Sequence, residues 1–283
     1  MLKYLIACIF ICLNSLFATI QAQNIVWKEL SKGFFTTEIA LPEKSSHGDS
    51  KATIIKIDTK AYNFHLVCAT EQTDGEKKHA DEWAKEKQFL LVVNAGMFDG
   101  VNEKGEEDAK TNRGLMVNYK HKNNGKLNAG KTQKAVLAFN PKNANVPPVK
   151  IIDLLHEDWN YWKNQYHCYS QGLHLIDTKQ QNCRKKDAKK WSMIIVAVDK
   201  SGNLLFIFTR SPYTMYNHIN NLLKLPLNIN NAMYLEGGPE TSLYVSVNGT
   251  VIQKFGSYET GFNEDDDNDR FWLLPNIIGV TKK

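Results

Sequence analysis

Cysteine is scarce in this chain, with five among 283 residues. Cys8 and Cys12 fall inside an apolar leader, which leaves Cys68, Cys168 and Cys183 for the folded protein. No two of these have Cys-x-x-Cys spacing and no histidine pair accompanies them, so a structural zinc site lacks its donors. Three is an odd number and allows at most one disulfide; none of the three stands at a strand tip beside a histidine, which argues against a thiol nucleophile. Long apolar runs are missing too. Past the leader nothing approaches the ~18 residues of a membrane helix, so the mature chain is not expected to span a membrane. Charge of one sign is not concentrated either: 35 Lys and Arg stand against 30 Asp and Glu, a net +5 that is spread along the chain. The Lys185-Lys186 and Lys189-Lys190 patches have no aromatics between them on which bases could stack, and nucleic acid is not an expected partner. No internal repeat and no low-complexity segment is present.

What is there begins with the leader. Lys3 supplies one positive charge, residues 4–17 are almost unbroken apolar sequence, and Ala22 is a small residue suited to cleavage. Residues 1–22 therefore read as a signal peptide, and the mature protein is expected to be secreted or periplasmic. Residues 23–283 read as a single domain with a real core, hydrophobic residues making up 42% of the chain. The Pro- and Asn-bearing stretch 143–149 is the best linker, and it is too short to divide them. Alternating apolar runs at 52–58 and 62–68 read as a hairpin, residues 191–199 and 204–209 as a clearer one, and Asn123-Asn124-Gly125 as a hairpin tip. Helices are expected from about Thr73, with Ala80, Trp83 and Ala84 on one face, over 154–162, and over 215–225. Strands outnumber helices without alternating one for one, which predicts an α+β fold with a mixed β-sheet core and a few packed helices.

One stretch organises the rest. The apolar run Ala232-Met233-Tyr234-Leu235 drives into Glu236, Gly237, Gly238 and Pro239, and a second apolar run resumes after Thr241-Ser242. A carboxylate at the end of a buried strand must be paired, hydrated in a cleft or protonated, because desolvating it alone costs several kcal/mol. Upstream the same grammar recurs: Phe89 to Val93 ends in Asn94, followed by Ala95-Gly96-Met97-Phe98-Asp99. Two such strand ends in one chain point to one cleft. Each feature also has a plain structural meaning, a solvated turn for Glu236 and a self-capped turn for Asn94. The acidic run from Glu264 to Asp269 does not have the spacing of the twelve-residue calcium loop; it reads as a solvated loop, with a weak calcium site as the alternative.

Taken in order, Asn94-Ala95-Gly96-Met97-Phe98-Asp99, Arg113-Gly114-Leu115, Gln171-Gly172, Thr209-Arg210 and Tyr234-Leu235-Glu236-Gly237-Gly238 resemble the phosphodiester glycosidase family across roughly residues 50 to 280. The chain departs from the family pattern in having Glu236 where Asp is usual, Pro239-Glu240 where small residues follow the glycines, and Leu173 where proline often follows Gln171-Gly172. The resemblance implies hydrolysis of a sugar from its 1-phosphodiester, in glycan or cell-envelope material. It implies Glu236, Asn94 and Arg210 as catalytic residues, with Gly96, Met97, Asp99, Gln171, Gly237, Gly238, Thr241 and Ser242 around the substrate. Glu236 would activate water or steady positive charge at C1, and Arg210 would neutralise the phosphate with its planar fork. Such a reaction requires no cofactor, and calcium stays possible. Two readings of other classes stand beside it: a metal-dependent phosphodiesterase cutting the P–O bond, and a non-catalytic protein that binds glycans in the same cleft.

Overall fold

The computed structural model describes residues 24–98 and 110–283; the expected leader and Asp99 lie outside the described residues. Along the chain come β1 (Lys28–Ser31), β2 (Phe34–Ala40), β3 (Lys51–Ile57), β4 (Tyr62–Cys68), α1 (Ala80–Lys87), β5 (Leu91–Asn94), β6 (Met116–Val117), β7 (Lys122–Asn124), β8 (Ala135–Pro141) and β9 (Val149–Asp153). They are followed by α2 (Trp159–Trp162), β10 (Tyr166–Gly172), β11 (His174–Ile176), β12 (Trp191–Asp199), β13 (Leu204–Tyr213), α3 (Met215–Leu223), β14 (Ile229–Gly237), β15 (Ser242–Val247), β16 (Thr250–Phe255) and β17 (Asn276–Lys282). The strands form a seven-stranded sheet in the order β1-β2-β3-β13-β12-β14-β11 and two five-stranded sheets, β7-β6-β10-β8-β9 and β16-β15-β5-β17-β4. The α+β class holds, weighted towards β.

A shared apolar core joins the three sheets, with Ile55 and Val196 from the first, Leu137 from the second and Leu91 and Val245 from the third. β12 is buried on both faces from Ser192 onward, and for that reason it reads as a continuous apolar run instead of an alternation. Helix α3 covers the other face of the seven-stranded sheet. Thr214 caps it by accepting from the Asn217 N–H at 3.1 Å, and Met215, Ile219 and Leu222 recur at helical spacing against Ile195 and Ile207. Each of these burials contributes roughly 1.5–3 kcal/mol. On the third sheet α1 buries Trp83, whose indole donates to the Leu274 carbonyl at 3.0 Å.

Several local expectations are corrected. β3 and β4 do not form a hairpin: β3 lies between β2 and β13, and β4 pairs with β17, so the turn at Asp58–Ala61 passes the chain from one sheet to another. The β6–β7 hairpin turns at Asn118, whose side chain accepts from the Lys120 and His121 N–H groups, leaving Asn124 paired with Met116 inside the ladder. Only Trp159–Trp162 of the 154–162 segment is helical, and α1 begins at Ala80 because Asp74 is held by the Glu76 N–H and Lys78. Every strand pairing among the described residues is antiparallel, where a mixed sheet was expected. Short turns join many neighbours, whereas parallel ones need long crossovers. Cys68, Cys168 and Cys183 are all free thiols.

Candidate active site

The cleft forms where β12 starts and β14 ends. Antiparallel pairing sets Gly237 opposite Met193 and Glu236 opposite Ile194, and Tyr234 and Glu236, two residues apart on β14, share one face and one cavity. Gly237 is required by close approach: a methyl there would overlap the Tyr234 hydroxyl and the Trp191 ring. Gly238 takes φ 70°, in the left-handed region, and turns the chain into the short 3-10 turn that carries Glu240. A methyl on Gly238 would collide with Glu259 Oε2 and lie 3.2 Å from Glu240 Oε2, so both carboxylates converge above this residue. Glu259 arrives on the 256–263 loop, which is strapped to the start of β12 by bonds from the Ser192 N–H to the Tyr258 carbonyl and from the Thr260 N–H to the Lys190 carbonyl, each 3.0 Å.

The cavity, about 330 Å³, is walled by these three carboxylates and by Arg113, Arg184 and Lys189, with Met97, Phe98, Leu173, Trp191, Met215 and Tyr234 between them. Burial, then the charge of Glu240, holds the Glu236 carboxyl well above the usual carboxylate range, opposed by a 3.1 Å bond from the Gly237 N–H and by Arg113. Burial pushes Glu240 up to about 7, and the Glu259 charge adds to it. Glu259 is raised by burial and drawn back by Lys189 and Arg113. Burial lowers Arg184, whose Nε is buried without a partner among the described residues, while the Trp191 indole interacts with the Tyr234 hydroxyl. An unpartnered buried donor is costly, and an anion in the cavity would satisfy it. Such a cleft can hold an anionic ester beside its cations while presenting one carboxyl group, Glu240, poised to move a proton near neutral pH.

Of the residues expected in the site, Glu236, Gly237 and Met97 line the cavity, and Gly238 sits beneath its carboxylates. Asn94 is buried beside it and does not face it. Its Nδ2 donates to the Glu240 carbonyl at 2.9 Å and its Oδ1 accepts from the Ser242 N–H at 2.8 Å, so it ties the tip of β5 to the turn that carries Glu240. Gln171 is likewise committed to backbone, bonding the Leu115 and Asn128 N–H groups and the Asn128 and Gln133 carbonyls. Gly96 packs against Asn112 and Ser170, and Thr241 and Ser242 are fully buried.

Arg210 is elsewhere. It lines a different cavity with Glu38 and Lys254, pairs with Asp266 at 2.7 Å and donates to the carbonyls of Phe255, Asp266 and Asn268. The acidic run draws its guanidinium away from the cleft. Reading the sequence missed Arg184, Lys189, Trp191, Glu240 and Glu259 as site residues. Only Glu240 carried a signal, standing four residues after Glu236. Among the described residues, no group of three or more His, Cys, Asp or Glu is arranged to hold a metal ion.

Residues 87–281 match the family model of the phosphodiester glycosidases, and the chain belongs to that family. Two solved structures share the fold. One is the zebrafish N-acetylglucosamine-1-phosphodiester alpha-N-acetylglucosaminidase catalytic domain, auto-inhibited by its pro-peptide: 14% identical, TM-score 0.53, covering 93% of this chain and 85% of that one. The other is a hypothetical protein from Synechocystis, 12% identical with TM-score 0.58, where 93% of this chain spans 64% of the other. No curated protein sequence matches the chain.

Proposed function

We propose that the protein hydrolyses a sugar-1-phosphodiester at the sugar C1–O bond, acting on glycan or cell-envelope material outside the cytoplasm. Water adds to C1, the phosphate monoester leaves, and the proton released by water passes to a cleft carboxylate. The observation that carries this reading is one cavity that brings three carboxylates together with Arg113, Lys189 and Arg184, the last with its Nε buried and unpartnered among the described residues. Arg184 and Lys189 would receive the phosphate. Burial and the charge of Glu240 disfavour the ionised form of Glu236; a positive charge beside it favours that form, and C1 acquires such a charge in the transition state. Glu240, titrating at about 7, is suited to take and return the water proton at neutral pH. All of this draws on protein groups alone. The leader of residues 1–22 is what supports a secreted or periplasmic location.

The test is incubation with a panel of sugar-1-phosphodiesters in oxygen-labelled water, with and without chelator. Label appearing in the sugar supports the proposal. Label in the phosphate, lost in chelator, would make the protein a metal-dependent phosphodiesterase instead; binding without turnover would make it a glycan-binding protein.

A further inference from the structure

Tyr234 lines the cleft two residues before Glu236, 5% exposed, with its ring in the same apolar cluster as Leu175, Ile195 and Met215. Gly237 shows where the hydroxyl lies, since a methyl on that glycine would overlap it. The phenol oxygen therefore stands against the backbone of the residue that follows Glu236. The Trp191 indole, which can only donate, interacts with that hydroxyl, so the oxygen turns a lone pair towards Trp191 and its proton elsewhere. Elsewhere the proton meets no acceptor among the described residues: Glu236, Glu240 and Glu259 act on the hydroxyl through their charge and not through a hydrogen bond. A buried phenol usually finds an acceptor, and here the cavity is the space left for one.

We propose that Tyr234 is a further catalytic residue, which donates a hydrogen bond to the bridging oxygen of the phosphodiester as the sugar C1–O bond breaks; the assignment rests on the hydrolytic reading above. Geometry and charge together select that oxygen. In the proposed reaction C1 lies beside Glu236, and Tyr234 and Glu236 leave β14 on one face, which brings the oxygens bonded to C1 within reach of the phenol. The ring oxygen shares the positive charge of the transition state and gains nothing from a donor. The bridging oxygen takes the electron pair of the broken bond and becomes more negative. A fixed donor aimed at charge that develops only in the transition state accelerates the reaction, the more so where water is excluded.

Tyr234 gives up no proton in this step. Burial, then the charges of Glu236 and Glu259, hold its hydroxyl well above the ordinary phenol range, and the departing phosphate monoester is a far weaker base than a phenolate. The bond's electron pair leaves with the phosphate, water supplies the new oxygen at C1, and the water proton passes to Glu240 as before.

The experiment is steady-state kinetics of wild type and Tyr234→Phe on a sugar-1-phosphodiester, across pH and per folded molecule. Phenylalanine keeps the ring in its cluster and removes only the hydroxyl. Loss of one such donor should lower kcat about 10²- to 10³-fold with KM little changed, the signature of a bond made only in the transition state. The pH limb set by Glu240 should stay at about 7. A wild-type kcat in the variant would overturn the assignment. So would a rise in KM, which places the hydroxyl on a sugar oxygen held throughout, or a displaced limb, which shows it acting through the carboxyl groups. Wild type that hydrolyses no sugar-1-phosphodiester overturns the hydrolytic reading and this assignment with it, whereas an active wild type beside an equally active Phe variant overturns this assignment alone.

Discussion

Replacing Asn94 by alanine tests whether the cleft is held by one buried amide. Asn94 is 1% exposed, and its two bonds, 2.9 Å to the Glu240 carbonyl and 2.8 Å from the Ser242 N–H, both end on backbone. Deletion strands the buried Ser242 N–H, while the Glu240 carbonyl keeps a 3.0 Å bond from the Ser242 hydroxyl. At about 1–3 kcal/mol for one unsatisfied group, the loss lowers Tm by roughly 5 °C in a domain of this size. Urea unfolding followed by tryptophan fluorescence measures the stability, and kcat per folded molecule is read on the same preparation. The turn that carries Glu240 loosens in the variant, so kcat falls with the stability. If Asn94 instead touched substrate, KM would rise while stability held. A variant within about 0.5 kcal/mol of wild type, the ordinary scatter of neutral substitutions, would refute the clamp.

Four further outcomes are expected. Glu236→Gln should reduce kcat about 10²- to 10⁴-fold with the melting temperature preserved; a wild-type rate per folded molecule would remove Glu236 from the chemistry. Glu240 titrates at about 7 in the fold against 4.5 when free, so its stabilising contribution is complete below pH 4.5 and lost as pH rises through 7. Over that window stability should fall by roughly 3 kcal/mol from this group, and Glu240→Gln should flatten the slope, as chemical denaturation at a series of pH values will show. Arg210→Ala should lower Tm by releasing the 266–268 loop while leaving kcat per folded molecule intact, whereas Arg184→Ala should raise KM for a phosphodiester; the reverse pattern would restore Arg210 to the phosphate. A thiol reagent should titrate three cysteines after denaturation and only Cys183, the half-buried one, in the native protein; two thiols after denaturation would reveal a disulfide.

The sequence by itself determined the elements whose cause is local. β12 and β13 were legible because an apolar run, a Ser201-Gly202 turn and a second apolar run are neighbours in the chain. Helix α3 was legible because Thr214 and the spacing of its apolar residues are local as well. Glu236 and Asn94 could be seen at strand tips for the same reason, an apolar strand running into a polar residue and glycine. What those tips do depends on what lies opposite, and only the tertiary structure decided that. Both ends of the Asn94 amide are consumed by the chain 146 and 148 residues further on, and Arg210 is claimed by an acidic loop 56 residues away. Sequence spacing records neither distance. Arg184 and Lys189 sit in a lysine-rich stretch that reads as a solvated face, and Glu259 sits in a loop without periodicity. They become site residues because antiparallel pairing and the strapping of the 256–263 loop bring them to the mouth of β12 and β14. Hydrophobic patterning sets which face of a strand is buried; which charges then meet across a cleft is set by packing among segments far apart in the chain, where an unpaired group costs several kcal/mol and each charge settles on the partner the fold delivers.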